Sequence, residues 1–378
     1  ASLDIRNLDI SRLNFMDYDY TNIRAIANIS PDMIQGGILS QDPNLNLWLK
    51  GGFVLSQKNN NARYHFEGNV GEANLYALNL DKRGKSIVSF DTAADFRRNA
   101  KGDISGEINI GDITLENKEG RYNIGDIILT STTKETGYEM SLNSSFADGY
   151  YKGTASVLDF AKELQNVTLK RELPAMFTDS TMLWKGNDYR IHFQCYNTQE
   201  ILGFALPGLY IEDGTAINAS VNEDGIFNAD ISSGRLAFKK QYLKGLRGRF
   251  SNSDDMLSGE LSSEEMQIAS VMLKNNSFKA TADDDQMTLE CEFDNHSKLE
   301  TRGKLLMEGE ASRDEYGMGL GIHMKPSSVF LSGKQWEILS SEMNVKGKEA
   351  DISSFGIVSG NESIRIAGGI SQNRKDTL

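Results

Sequence analysis

Met287-Thr288-Leu289-Glu290-Cys291-Glu292-Phe293-Asp294 alternates apolar and polar residues without a fault. A strand points successive side chains to opposite faces, so this stretch reads as a strand with one greasy and one wet face. Met318, Leu320, Ile322 and Met324 repeat the pattern, alternating with Gly317, Gly319, Gly321 and His323.

Outward from these runs the texture barely changes. Towards the N-terminus lie Phe278-Ala280-Ala282, Leu236-Phe238, Phe227-Ala229-Ile231 and Ile217-Ala219-Val221. Earlier still come Tyr138-Met140-Leu142, Ile104 to Ile110, Tyr64-Phe66, Phe53-Leu55 and Leu45-Leu47-Leu49. Turn residues separate them: Asn59-Asn60-Asn61, Gly102-Asp103, Gly111-Asp112, Gly125-Asp126 and Asp148-Gly149. The runs break after about five to eight residues, and counting them predicts about 25 strands. At about 4.8 Å between neighbours, one flat sheet of that size would reach roughly 120 Å. Open twisted sheets rarely pass about ten strands, so the sheet must fold round as a sandwich, solenoid, trough or membrane barrel.

The period changes once. Val157, Phe160, Ala161 and Leu164 share one helical face, with Ser156 and Asp159 as a capping pair and Pro174 as the stop. A shorter helix is expected from Thr198 to Leu206, capped by Asn197 and ended by Pro207. Tyr189-Ile191-Phe193-Cys195 between them reads as strand. The expected organisation is a β segment over 1–155, a helix-containing seam over 156–210 and a second β segment over 211–378.

Composition narrows the chemistry. Five prolines among 378 residues suit a long sheet, because proline cannot donate to a ladder. Lys and Arg number 40 against 53 Asp and Glu, a formal charge of −13, which leaves no basic excess to neutralise nucleic-acid phosphates. No run reaches the ~18 apolar residues of a membrane-spanning helix. No signal peptide opens the chain; it begins in mid-pattern and reads like a piece cut from something longer. Cys195 and Cys291 make neither a disulfide framework nor a zinc pattern; they read as small buried hydrophobes, with a single long-range disulfide as the alternative. The four histidines, His65, His192, His296 and His323, are isolated. Gly317, Gly319 and Gly321 sit within a strand with no helix behind them, so they cannot cradle a phosphate. Asp283-Asp284-Asp285 reads as a solvated turn, without the glycine of a calcium loop. No cofactor, metal or catalytic constellation is expected.

Several longer phrases carry a likeness. They include Met16-Asp17-Tyr18-Asp19-Tyr20 within residues 15–28 and Pro43-Asn44-Leu45-Asn46-Leu47-Trp48-Leu49-Lys50-Gly51-Gly52-Phe53. Tyr64-His65-Phe66-Glu67-Gly68-Asn69-Val70 follows, leading to Ala73-Asn74-Leu75-Tyr76-Ala77-Leu78-Asn79-Leu80. Further on stand Arg171-Glu172-Leu173-Pro174, Gly234-Arg235-Leu236-Ala237-Phe238 and Ile364-Arg365-Ile366-Ala367-Gly368-Gly369-Ile370-Ser371. Over most of its length the chain resembles the TamB family, the translocation and assembly module proteins grouped with AsmA-like envelope and bridge-like lipid transfer proteins.

The resemblance implies a mainly β fold: an elongated, curled antiparallel or solenoid-like sheet (a β-taco) with an apolar interior groove and one or two short helices near the middle. It implies a non-enzymatic periplasmic protein that carries phospholipid or other acyl chains between inner and outer membrane and supports outer-membrane assembly. An inner-membrane anchor helix and docking to an Omp85-type, TamA-like outer-membrane barrel would lie outside this stretch. The residues expected to line the groove are Met287, Leu289, Cys291, Phe293, Met318, Leu320, Ile322 and Met324.

Three other readings share the alternation. A transmembrane barrel needs strands of about 9–11 residues and aromatic girdles, which the short runs oppose. A β-helix enzyme acting on polysaccharide needs paired carboxylates on adjacent coils. A structural or adhesion module needs only a dry core.

Overall fold

A computed structural model describes residues 2–56, 61–100, 102–178, 184–269, 271–315, 317–347 and 349–370. Asn59 and Asn60 of the expected turn and Ser371 of the closing phrase lie outside the described residues. The chain is mainly β and antiparallel, with two short helices. In chain order the first strands are β1 (Leu3–Phe15), β2 (Tyr18–Ser30), β3 (Met33–Asp42), β4 (Leu45–Ser56), β5 (Asn61–Asn74), β6 (Ser86–Arg98), β7 (Ile104–Asn117), β8 (Arg121–Lys134), β9 (Gly137–Ser144) and β10 (Ala147–Gly153). Helix α1 (Val157–Gln165) continues into a π-helical turn (Asn166–Lys170) and a 3-10 turn (Pro174–Met176); β11 (Tyr189–Cys195), α2 (Gln199–Ala205) and β12 (Leu209–Ile211) follow. Then come β13 (Thr215–Val221), β14 (Phe227–Phe238), β15 (Gln241–Ser251), β16 (Leu257–Ile268), β17 (Val271–Asp283), β18 (Gln286–Asp294), β19 (Arg302–Asp314) and β20 (Gly317–Met324). The last are β21 (Ser327–Leu331), β22 (Lys334–Ile338), β23 (Ser341–Lys346), β24 (Glu349–Ser359) and β25 (Glu362–Ile370).

Two units divide the chain. The first takes residues 1–156 and 192–214, the second 157–191 and 215–378, so the helix-containing stretch is shared between them.

In the first unit, β1 to β10 pair each with the next as an antiparallel meander. Partners in register share a face. Ile5, Ala27, Gly36, Gly51, Phe66, Ala94, Ile108, Leu129 and Leu142 therefore form one row across nine strands. The strands are longer than the sequence pattern suggests: β1, β5 and β8 run 13, 14 and 14 residues. Bulges explain the difference. Gly111-Asp112 and Gly125-Asp126 lie inside β7 and β8, where Asp112 (φ 51) and Gly125 (φ 77) take left-handed backbone and the register shifts between Ile110 and Thr114. Asp148-Gly149 is strand as well, paired with Asn143 and Leu142. Residues that read as turns are devices that bend a continuing strand. Further shifts at Asn46/Leu47, Val70/Ala73 and Ser89/Asp91 crease the sheet from β4 to β8.

The first unit's core lies along that crease. Tyr20, Val70, Ala73 and Leu78 form one buried cluster, and Ile113, Leu115, Ile124 and Phe204 another. Phe204 belongs to α2, which lies on the greasy face. Asn117 donates to Gly203 O (2.9 Å), Arg83 donates to Ala205 O (2.5 Å), and the Asn123 amide donates to Glu200 (2.7 Å). The guanidinium stands at the carbonyl end of the helix, where the dipole favours a cation. Thr198, not Asn197, occupies the cap position, with no side-chain cap bond; Asn197 takes left-handed backbone (φ 48) and its amide donates to Asp213.

Asp42 anchors the start of this unit. Its buried carboxylate accepts from the Tyr18 hydroxyl (2.6 Å), the Thr21 amide (2.8 Å) and hydroxyl (2.9 Å), and the Asn44 amide (2.9 Å). Burial pushes its pKa up, but the bonds from Tyr18, Asn44 and Thr21 outweigh it and hold the carboxyl below its ordinary value. A depressed carboxylate stabilises the fold above its unfolded pKa and loses that contribution as pH falls through the folded one. Asp42→Ala is expected to cost about 2–3 kcal/mol at neutral pH, and urea titrations should show the gap to wild type closing below about pH 4.

In the second unit, β13 to β20 continue the meander. Pairing then skips: β19 also meets β21, β20 meets β23, and β22 meets β24. These pairings are antiparallel, which argues against the parallel-stacked coils of a β-helix fold. Helices on the greasy face likewise argue against a barrel whose greasy face meets lipid, although strand length no longer does. Cys195 is buried and Cys291 half-buried; both are free thiols, and burial pushes both pKa values up.

Candidate functional site

The second unit's sheet carries parallel rows of small and apolar residues. Phe250, Gly259, Ala280, Leu289 and Met307 face one another in one row; Leu257, Ala282, Met287, Gly309 and Ile322 form the next. Gly259, Ala280, Ala282 and Gly309 leave the middle of this floor low.

The helical segment lies over it as a strap. Val157, Phe160, Ala161 and Leu164 set its apolar stripe, with Asp159 near the start and Lys162 near the end of α1, as the dipole prefers. The Thr168 hydroxyl donates to Leu164 O (2.6 Å) where the helix widens into the π turn. Pro174 does not simply stop the segment; it opens the 3-10 turn from its first position, where its missing N–H costs nothing.

Polar posts hold the strap in place. Glu163, buried, accepts from Asn187 Nδ2 (2.8 and 3.0 Å) and from the Tyr189 hydroxyl (2.5 Å), while Phe160 packs edge-on against the Tyr189 ring. Asn252, 2% exposed, donates to Val167 O (2.6 Å) and Gly225 O (3.1 Å) and accepts from the Phe227 amide (2.7 Å). At the far end the Asp285 amide donates to Glu172 O (2.8 Å), its carboxylate accepts from the Ala175 amide (2.9 Å), and Arg313 donates to Ala175 O (2.9 Å). The acidic triplet is thus more than a solvated turn. Asp284 (φ 45) and Asp285 (φ 65) make the two-residue hairpin between β17 and β18, and Asp285 docks the strap.

Between strap and floor a cavity of about 570 Å³ remains. Leu164, Thr168, Leu169 and Leu173 face it from the strap; residues from Phe227 on β14 to Ile322 on β20 face it from the sheet. Leu169 is 44% exposed, so this leucine overlooks open space instead of packing. The bordering polar side chains spend their bonds elsewhere: Thr281 pairs with Thr288 (2.7 Å), Ser258 donates to Ser251 O (3.2 Å), and Glu308 meets Lys325 (2.6 Å). The enclosed surface is hydrocarbon.

The sheet residues expected in a groove divide. Met287, Leu289, Leu320 and Ile322 line the cavity. Cys291 lies one register row away, opposite Phe278 and Leu305. Phe293 is buried with Val329 and Ile338 in a packed cluster, with Met324 against it. Met318 pairs with Arg313 near the β19–β20 hairpin. The pattern missed Leu164, Leu169 and Leu173 on the strap and the small residues of β16 and β17. The helical stripe around Leu164 was a readable signal; the glycine and alanines were not, because they carry little apolar weight.

No family model, curated protein or solved structure matches this chain.

Proposed function

We propose that this chain is a TamB-like, non-enzymatic carrier of acyl chains in the periplasm, passing lipid between inner and outer membrane in support of outer-membrane assembly. Anchorage in the inner membrane and docking at a TamA-like barrel belong to the same proposal. One observation carries it: an apolar cavity under the strap, with Leu169 facing open space. Each methylene moved out of water is worth about 0.8 kcal/mol, and a surface of many similar weak contacts lets a chain slide with little net change. Methionines such as Met287 and Met307 adapt to varied chains.

The test is direct. Protein purified under gentle extraction is expected to carry phospholipid detectable by mass spectrometry, and delipidated protein to take up a fluorescent fatty acid. Palmitate at a hundredfold excess over its Kd should raise stability by about 2.7 kcal/mol, read as a shift of the unfolding midpoint. Neither lipid nor uptake would favour the rival reading, a structural spacer with a dry core, which draws on the packed cluster of Phe293, Val329 and Ile338.

A further inference from the structure

A helix that covers a sheet ordinarily buries its apolar stripe against it. This strap does so at Phe160, Val167 and Leu173, but between them it stands on Asn252 and Asp285, and Leu164 and Leu169 border a void. The void has a definite shape. Seven consecutive strands, β14 to β20, contribute to its floor. At about 4.8 Å per strand spacing, that floor runs roughly 29 Å along the sheet. Yet β16 to β20 each supply only two same-face residues, about 7 Å apart. Long across the strands and narrow along them, the space is a channel.

We propose that the strap makes this part of the groove a single-file site, which admits one unbranched acyl chain lying across the strands, with Leu169 gauging its thickness. This rests on the acyl-carrier reading and adds what that reading lacks, a rule for selection. One leaflet of a bilayer's hydrocarbon core is about 15 Å thick, so the channel has length for a whole chain. Its floor is two residue rows wide beneath Leu164 and Leu169, a width that suits one chain and disfavours a second chain or methyl branches. The bordering hydroxyls are already engaged, so selection acts on the shape of the hydrocarbon and the headgroup stays outside.

The experiment uses the whole chain, delipidated and loaded with cis-parinaric acid, a fluorescent straight-chain fatty acid. Palmitate is expected to displace it about tenfold or more better than phytanic acid, whose backbone carries methyl branches. Leu169→Ala should bring the two competitors towards equality, by admitting the branched acid while keeping palmitate. Leu169→Trp should weaken palmitate about tenfold with an unchanged unfolding midpoint, because Leu169 already faces open space. Equal displacement by both acids in the wild type, or a ratio that ignores both Leu169 variants, overturns single-file selection and leaves the carrier reading standing. Failure of parinarate to bind at all removes the carrier reading and this inference with it.

Discussion

Asn252→Leu is expected to unfasten the strap and cost the second unit about 4 kcal/mol. Asn252 is among the most buried side chains of the chain, and its amide closes three bonds. Leucine keeps the branched skeleton of four side-chain heavy atoms, so no cavity opens, and its bulkier methyl groups add some overpacking. What changes is pairing: the Phe227 N–H and the carbonyls of Val167 and Gly225 lose partners in a dry place. Each buried orphan costs about 1–3 kcal/mol. Asn252→Asp is expected to fare no better, because it keeps an acceptor for Phe227 but sets a carboxylate against two carbonyl oxygens. Urea unfolding measures the loss, and limited proteolysis between residues 157 and 176 reports the strap's release. A loss under about 1 kcal/mol would mean that the strap does not depend on this post.

Leu289→Asp separates a groove from a core. Leu289 is half-buried and borders open volume, so a carboxylate there reaches water and the fold should survive with a loss of about 1–2 kcal/mol. Acyl binding should drop about a hundredfold, since seating a chain would strip that carboxylate of water. Phe293→Asp, four residues along the same strand face, is the contrast. Phe293 is 9% exposed and packed against Val329 and Ile338, so an unpaired charge there should cost more than about 4 kcal/mol and abolish cooperative unfolding. Circular dichroism melts and parinarate titration of both variants decide the matter. Equal destabilisation by the two would place Leu289 in a packed core.

Alternation alone carried the strand content and the greasy face, because period two is a local property of each run. It failed where geometry is cooperative. Asp112 and Gly125 read as chain reversals, but partners on adjacent strands hold them as bulges and the strand goes on. The strap's stripe was legible in Val157, Phe160, Ala161 and Leu164. Its fastening was not, since Asn252, Asp285 and Arg313 come 85, 110 and 138 residues after their partners. Half of the expected groove residues line the cavity; Phe293 and Met324 do not, because β21 and β22 bring Val329, Trp336 and Ile338 over their end of the face. No periodicity of β18 or β20 records that neighbour.

That spacing also bears on how the chain is made. Nearly every strand of the meander meets a partner supplied within the next few seconds of synthesis, and loops so short close at little entropic cost. The strap is the exception. Its last fastening, from Arg313 to Ala175, waits for 138 residues, on the order of ten seconds or more at ~5–20 residues per second. Until then the floor beneath Leu164, Leu169 and Leu173 is incomplete, because β19 and β20 are still to come. Nascent chains arrested before β19 should therefore be the species that aggregate or engage chaperones, and those arrested after it should not.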